Sequence, residues 1–214
     1  MRKTATCAVV AAVAGSALAQ PINGFTETFE NGLAGWDPSG GLSIVLNSES
    51  GNSFVSVSGL LPTSPFGGAT VFGGDAGGAT DGFSGGAFIG DYVAAGITTI
   101  SFDIRHNAAN DLSFSVRLPT FNNSPANIVF GPSLAASNEF TTISFNIDPN
   151  NPALVPTGGP AGLTATAIQN VQLLVGGGDV QGTIDIDNVT ITPAPSGALA
   201  LCGAGLVAAR RRRR

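Results

Sequence analysis

Polar and apolar side chains alternate in three stretches of this chain. Thr98–Ile104 reads TTISFDI, and nearly the same sequence, TTISFNI, returns at Thr141–Ile147. Leu112–Leu118, LSFSVRL, follows the same rule. A period of two places successive side chains on opposite faces of an extended strand, so each stretch is predicted to be a half-buried β-strand. Two similar copies are too few for a solenoid, and we interpret them as strands in equivalent positions of a sheet.

Seven further short stretches are candidate strands because they are rich in Val, Ile, Phe and Thr. Clusters of Gly, Pro, Asn and Ser separate them, and no long stretch outside the termini has helical periodicity. The predicted fold class is therefore all-β, an antiparallel β-sandwich. The seven candidates are Phe25–Glu30, Leu42–Leu46, Phe54–Ser58, Ala87–Ile89, Asn127–Phe130, Ile168–Val175 and Thr183–Thr192.

The segment Pro65–Asp91 differs from the rest of the chain in its composition. It contains ten glycines and three aspartates. Glycine leaves the backbone free to adopt many conformations, so we expect this segment to be one mobile loop.

The last candidate strand changes the phase of its apolar residues. Ile184 and Ile186 have even numbers, whereas Val189 has an odd number. One extra residue near Asp187 would reconcile the two phases, which predicts a β-bulge there. The first and last strands of a sandwich can pair, and this pairing would bring Glu30 toward Asp187.

The two ends of the predicted sandwich resemble a known type of domain. TFENGLAGW at Thr28–Trp36 and GTIDIDNVTI at Gly182–Ile191 resemble the jelly-roll domains of the carbohydrate-binding-module and galactose-binding-like type. The resemblance implies a jelly-roll topology and a structural Ca²⁺ held by carboxylate and carbonyl oxygens. Glu30, Asp187 and Asp185 are its candidate ligands, because Ca²⁺ binds six to eight hard oxygens. The alternative is that these acids are solvated ends of strands.

The same resemblance implies carbohydrate binding. Such modules stack sugar rings on exposed Trp or Tyr, and Trp36 is the candidate here. Because Trp36 lies close to the first strand, a position in the core is the alternative. Polar loops that could contact glycans contain Asn107, Asn110, Asn122 and Asn123.

The N-terminus has the order of a secretory signal peptide. Arg2 and Lys3 precede the apolar stretch Cys7–Gly15, and small residues follow at Ala17–Gln20. This order of charged, apolar and small residues is typical of export signals. We expect residues 1–19 to be removed, residues 20–192 to form the exported domain, and residues 193–214 to form a separate tail.

The tail predicts a membrane topology. Gly197–Ala209 has thirteen uncharged residues, about 20 Å as a helix, against a hydrocarbon core of about 30 Å. It can cross only by recruiting the Pro-rich flank and by letting the following arginines snorkel. Arginine clusters resist translocation, so they would stay cytoplasmic and leave the domain outside. The cluster is Arg210, Arg211, Arg212, Arg213 and Arg214.

This tail resembles the PEP-CTERM sorting signal of exported bacterial proteins. Pro193, Ala194 and Pro195 stand where that family has its Pro-Glu-Pro motif, with Ala194 in place of the glutamate. The resemblance implies a membrane-embedded, exosortase-like enzyme as partner and transient anchoring in the inner membrane. It further implies release to the cell surface or medium, near exopolysaccharide. The departure at Ala194 suggests a lineage variant or a simple tether.

Charge and residue content exclude several function classes. Residues 20–192 contain fourteen acids and only Arg105 and Arg117, a net charge near −12, which argues against nucleic-acid binding. This segment has no cysteine and no G-x-S-x-G motif, and His106 is its single histidine. We therefore predict a non-catalytic exported surface or matrix protein associated with exopolysaccharide. The alternative is a Ca²⁺-dependent carbohydrate-binding module, and a glycoside hydrolase that uses Asp185 is a more distant one.

Overall fold

The computed structural model describes residues 20–39, 41–63, 70–74, 83–120 and 124–194. The predicted signal peptide, the apolar segment of the tail and the arginine cluster lie outside these residues. Among the residues that the structure does describe, no helix is long and apolar enough to span a bilayer.

The described chain is built almost entirely from β-strands, which confirms the predicted fold class. A 3-10 turn at Phe83–Gly86 and one short helix, α1 at Ala161–Ala165, interrupt them. The strands are β1 (Thr26–Glu27), β2 (Trp36–Asp37), β3 (Ser43–Glu49), β4 (Asn52–Leu61), β5 (Thr70–Gly74), β6 (Ile97–His106), β7 (Leu112–Pro119), β8 (Ala126–Leu134), β9 (Ser137–Asn146), β10 (Val155–Thr157), β11 (Gln172–Gly176) and β12 (Val180–Pro193).

The strands form two antiparallel sheets. In sheet A the order is β3-β4-β12-β6-β9, and β1 pairs with the C-terminal part of β12. In sheet B the order is β10-β8-β7-β11-β5-β2. The chain passes from one sheet to the other several times, so neither sheet is built from one continuous part of the sequence.

The core lies between the two sheets and follows the predicted alternation. Phe102 in β6 and Phe145 in β9 point inward from sheet A, and Phe114 in β7 points inward from sheet B. All three are buried, whereas the polar residues between them lie on the outer faces. The two copies of the internal repeat are β6 and β9, which pair directly, with Phe102 opposite Ile143.

Three expectations about local structure need correction. Ala87–Ile89 is not a strand: it continues the 3-10 turn, and the Ile89 N–H donates to the Gly86 carbonyl at 3.1 Å. Its apolar pattern instead reflects burial of Phe88. The first strand ends at Glu27, because Phe29 has a φ of +58°. The glycine-rich segment is not one loop, since β5 and the 3-10 turn both lie within it.

The last strand extends into the tail motif. β12 ends at Pro193, which lies opposite Ile97 in β6, and the Ala194 N–H donates to the Gly96 carbonyl at 3.0 Å. The sheet therefore continues past the predicted boundary at residue 192. The third motif residue, Pro195, lies outside the described part of the chain.

Candidate functional site

A bulge in β12 organises the acidic residues on the outer face of sheet A. The register between β12 and β6 shifts between Asp187 and Thr190, and Asn188 has a φ of +46°. The predicted bulge is confirmed. The predicted pairing of the first and last strands is also confirmed, with Glu27 opposite Val189.

Asp187 is buried beneath this bulge and is held by amide donors. It is 2% exposed, the Asn52 Nδ2 donates to its Oδ2 at 2.8 Å, and the Asn188 N–H donates to its Oδ1 at 2.7 Å. Burial raises the pKa of Asp187, and the charges of Asp103 and Glu30 raise it further, against the lowering effect of these hydrogen bonds. Asp187 thus lies in a polar cluster that already carries excess negative charge.

The predicted calcium ligands are only partly brought together. Glu30 lies in the same cluster as Asp187 and accepts hydrogen bonds from the Ser53 N–H at 2.9 Å and the Ser53 hydroxyl at 3.1 Å. Asp185 does not fit, because Arg105 holds it in an ion pair. Within the described ranges, no group of three His, Cys, Asp or Glu side chains could hold a metal ion. Calcium binding by Glu30 and Asp187 stays a prediction.

Asp187→Asn tests both the burial of this carboxylate and the calcium prediction. In chelator we expect the wild type to lose stability relative to the variant as pH rises from the ordinary aspartate pKa of 3.8, because the raised pKa of Asp187 makes its ionised form the less favourable one in the folded protein. Below 3.8, where both side chains are neutral, the difference between the two proteins should no longer change with pH. Thermal unfolding from pH 3 to pH 7 measures it.

Added Ca²⁺ provides the second half of this test. The calcium prediction requires that Ca²⁺ raise the unfolding temperature of the wild type and leave Asp187→Asn unchanged. Equal responses of the two proteins would contradict it.

Arg105 forms the centre of a second cluster on the outer face of sheet A. Its Nε donates to Asp185 Oδ2 at 2.7 Å, and its Nη2 pairs with Glu49 Oε2 at 2.8 Å. Its Cζ lies 4.8 Å from the ring centroid of Phe54 and 4.6 Å from that of Phe140. The guanidinium therefore joins two carboxylates to an aromatic pair, and Asp185 is not free to act as an acid or a nucleophile.

The outer face of sheet B is chemically different. Phe130 in β8 is an aromatic residue that stays 48% exposed on this face. One diagonal step away across β7, the Arg117 Nη1 donates to the Gln172 Oε1 at 2.7 Å. The hydroxyl of Ser115, opposite Phe130, is buried and has no hydrogen-bond partner among the described residues. We call the exposed Phe130 and the half-buried Arg117, with Ser115 and Gln172 buried beneath them, the sheet B surface.

Comparison with known proteins informs the fold. No protein-family model matches the chain, and no curated protein matches it. It is similar to the structure of an exo-beta-agarase, with a TM-score of 0.56 and 11% identity over 81% of this chain and 25% of that one. It is also similar to the carbohydrate-binding module CtCBM11, with a TM-score of 0.51 and 16% identity over 80% of this chain and 96% of that one. The fold is a jelly roll.

A xylan-binding domain is similar to the chain at a lower score. The CBM22-1 domain of Xyn10C from Paenibacillus barcinonensis gives a TM-score of 0.49 and 14% identity, over 81% of this chain and 97% of that one. The chain spans only a quarter of the agarase chain but nearly the whole of the two binding modules.

The jelly roll places Trp36 in its core. Trp36 is 2% exposed, its ring meets Phe29, Phe83 and Phe88 edge-on, and its Nε1 donates to the Ser84 hydroxyl at 2.9 Å. A ring buried in this way has no face free to stack on a sugar. Trp36 therefore occupies the core, one of the two positions that the sequence allows for it.

His106 is also buried in the jelly roll. Its Nε2 lies 2.9 Å from the Leu134 carbonyl, and its ring packs 6.4 Å from that of Phe114. It points away from the acids on the outer face of sheet A, so it is not positioned to act with Asp185.

Sequence reasoning missed the sheet B surface. Phe130 was placed in a strand, but the sequence does not show that its ring is exposed, because Val129 beside it is equally apolar. The register of the paired strands shows this exposure, because Phe130 lies opposite Ser115 on the outer face of sheet B.

Proposed function

We propose that this jelly roll is a non-catalytic polysaccharide-binding domain and that the sheet B surface contacts the glycan. The observation that carries the proposal is the exposed ring of Phe130 beside the Arg117–Gln172 pair. The similarity to CtCBM11, a carbohydrate-binding module, supports it at the level of fold.

The chemistry of the sheet B surface suits a sugar. The apolar face of a pyranose packs on an aromatic ring, while its hydroxyl groups need donors and acceptors at the edge of that ring. Phe130 supplies the ring, and the hydrogen bond to the buried Gln172 fixes the orientation of the Arg117 guanidinium beside that ring. The Ser115 hydroxyl beneath this ring is fully buried and has no hydrogen-bond partner among the described residues, so a bound water would satisfy it.

The acidic residues support a binding role over hydrolysis. A glycoside hydrolase needs two carboxyl groups that face the substrate, one of them free to give up or accept a proton. Asp185 is neutralised by Arg105, and both oxygens of Asp187 accept hydrogen bonds from amide groups.

Phe130→Ala tests the proposed surface. We expect the full chain to bind soluble polysaccharides such as arabinoxylan and hydroxyethyl cellulose in affinity electrophoresis, and the variant to bind at least about tenfold more weakly, because it loses the stacking ring. Val93→Ala is the matched control, since Val93 is 49% exposed in the turn before β6. Unchanged binding in Phe130→Ala would exclude the sheet B surface.

We further propose that the domain is exported and that an exosortase-like enzyme in the membrane processes its tail. The signal-like N-terminus and the arginine cluster support this proposal. Because Pro193 is paired with Ile97 of β6 and the Ala194 N–H is bonded to Gly96 just before that strand, we expect the cut to fall after Ala194, which keeps β12 whole. Mass spectrometry of the terminal peptides from secreted protein measures this, and secreted protein that still ends at Arg214 would contradict it.

A further inference from the structure

A polar groove crosses the outer face of sheet A, on the opposite side of the sandwich from the sheet B surface. It consists of two adjoining clefts of about 310 Å³ and 480 Å³, and both are lined by Asn107 and Thr183. Ser137 of β9 lies at one end, and Ser58 of β4 and Ser43 of β3 lie at the other. The groove thus crosses five strands, about 19 Å at the usual strand spacing, which is long enough for a short stretch of polysaccharide.

Asn107 lies at the middle of this groove with its side chain already oriented. Its Oδ1 accepts a hydrogen bond from the Thr183 N–H at 2.8 Å, and its own N–H donates to the Thr183 carbonyl at 3.2 Å. A backbone N–H can only donate, so this contact fixes which side-chain atom is oxygen. The Asn107 Nδ2, on an exposed residue, has no hydrogen-bond partner within the described chain. It is a fixed, unused donor.

Charge limits what the groove can accept. Arg105 is the cation in its lining, and its Nε, Nη2 and Nη1 are taken by Asp185, Glu49 and the Asn138 carbonyl. Two carboxylates on one guanidinium leave an excess of negative charge. The Glu30–Asp187 cluster adds further negative charge on the same face. A chain of uronic acids or sulfated sugars would meet repulsion without a free cation to offset it.

We infer that this groove is a second glycan-binding site, that it takes a neutral polysaccharide, and that Asn107 Nδ2 is its central hydrogen-bond donor to a sugar hydroxyl. Hydroxyl groups of Ser58 and Ser137 and the amide of Gln181 complete a lining suited to uncharged, hydroxyl-rich chains. The inference does not require that the sheet B surface bind the same chain.

The test isolates the groove by working in the Phe130→Ala background. We expect this variant of the full chain to keep measurable affinity for hydroxyethyl cellulose and to bind carboxymethyl cellulose, the anionic polymer on the same backbone, at least about tenfold more weakly. Adding Asn107→Asp keeps an acceptor for the Thr183 N–H but removes the donor, and should weaken binding to the neutral polymer a further five- to tenfold. Asn107→Ala removes the donor without adding charge, together with the acceptor for the Thr183 N–H, and should weaken it similarly.

Asn23→Asp is the control, because it adds the same charge at an exposed site whose amide contacts Ala95. Equal binding of the two cellulose derivatives, or full binding by both Asn107 variants, would overturn the inference. Loss of all binding in Phe130→Ala alone would also overturn it while leaving the proposed function intact. Binding that survives Phe130→Ala unchanged and is lost with Asn107→Asp would support the groove and exclude the sheet B surface.

Discussion

Trp36→Ala is expected to lower the free energy of unfolding by about 3–5 kcal/mol, because it replaces a fully buried ring with a cavity. Trp36 fills the space between the first loop and the 3-10 turn, where its ring contacts Phe29, Phe83 and Phe88. β2 has only two residues, which pair with β5, and the Trp36 ring adds the contacts that join this short strand to the core. Urea denaturation followed by circular dichroism measures the loss.

Trp36→Phe separates packing from hydrogen bonding. It keeps an aromatic ring but removes the donor to the Ser84 hydroxyl. We expect this variant to lower the free energy of unfolding by about 1–2 kcal/mol. Binding to polysaccharide, measured below the unfolding transition, should be unchanged in this variant. A stable Trp36→Ala protein that had lost glycan binding would instead restore the stacking role that the sequence suggests for this ring.

Arg105→Ala is expected to lower the free energy of unfolding by about 2–3 kcal/mol. This loss is smaller than for a fully buried ion pair, because the side chains of Arg105 and Asp185 keep some contact with water. The side chains of Arg105 and Asp185 are 17% and 18% exposed, so removal of the guanidinium leaves a largely buried carboxylate without its partner. It also uncovers Phe54 and Phe140, which lose a cation above their rings. Denaturant titration in low and high salt measures the effect.

Arg105→Lys is the informative control for this prediction. A lysine keeps the positive charge but cannot donate to Asp185, Glu49 and the Asn138 carbonyl at once, so we expect it to recover less than half of the loss. The double variant Arg105→Ala with Asp185→Asn should be more stable than Arg105→Ala alone, because it does not leave the Asp185 carboxylate without its ion-pair partner. Stability within about 0.5 kcal/mol of wild type for Arg105→Ala would show that the cluster is only a surface ion pair.

Local periodicity was enough to predict the fold class and several strand positions. The alternating residues of β6, β7 and β9 determined the inward faces, and the phase change in β12 located the bulge. These features depend on residues close together in sequence. Ala87–Ile89 was mistaken for a strand because a short apolar run has the same pattern in a buried turn as in a strand.

The candidate sites could be predicted only in part, because they depend on register between distant strands. Asp185 was named with Asp187 as a calcium ligand because of the resemblance to jelly-roll domains, yet the neighbour that decides its role is Arg105, opposite it in β6. The exposure of Phe130 likewise depends on its pairing with Ser115. The periodicity of a single strand does not determine either of these registers.

The central position of β12 has a consequence for the order in which the chain can fold. β12 lies between β4 and β6, and its residues pair with positions about 80 to 130 places earlier in the sequence. Until it is available, sheet A exists only as the β3–β4 hairpin and the β6–β9 pair, with no strand to join them. Such long-range closure slows folding, and the sandwich can form only when nearly the whole domain is available.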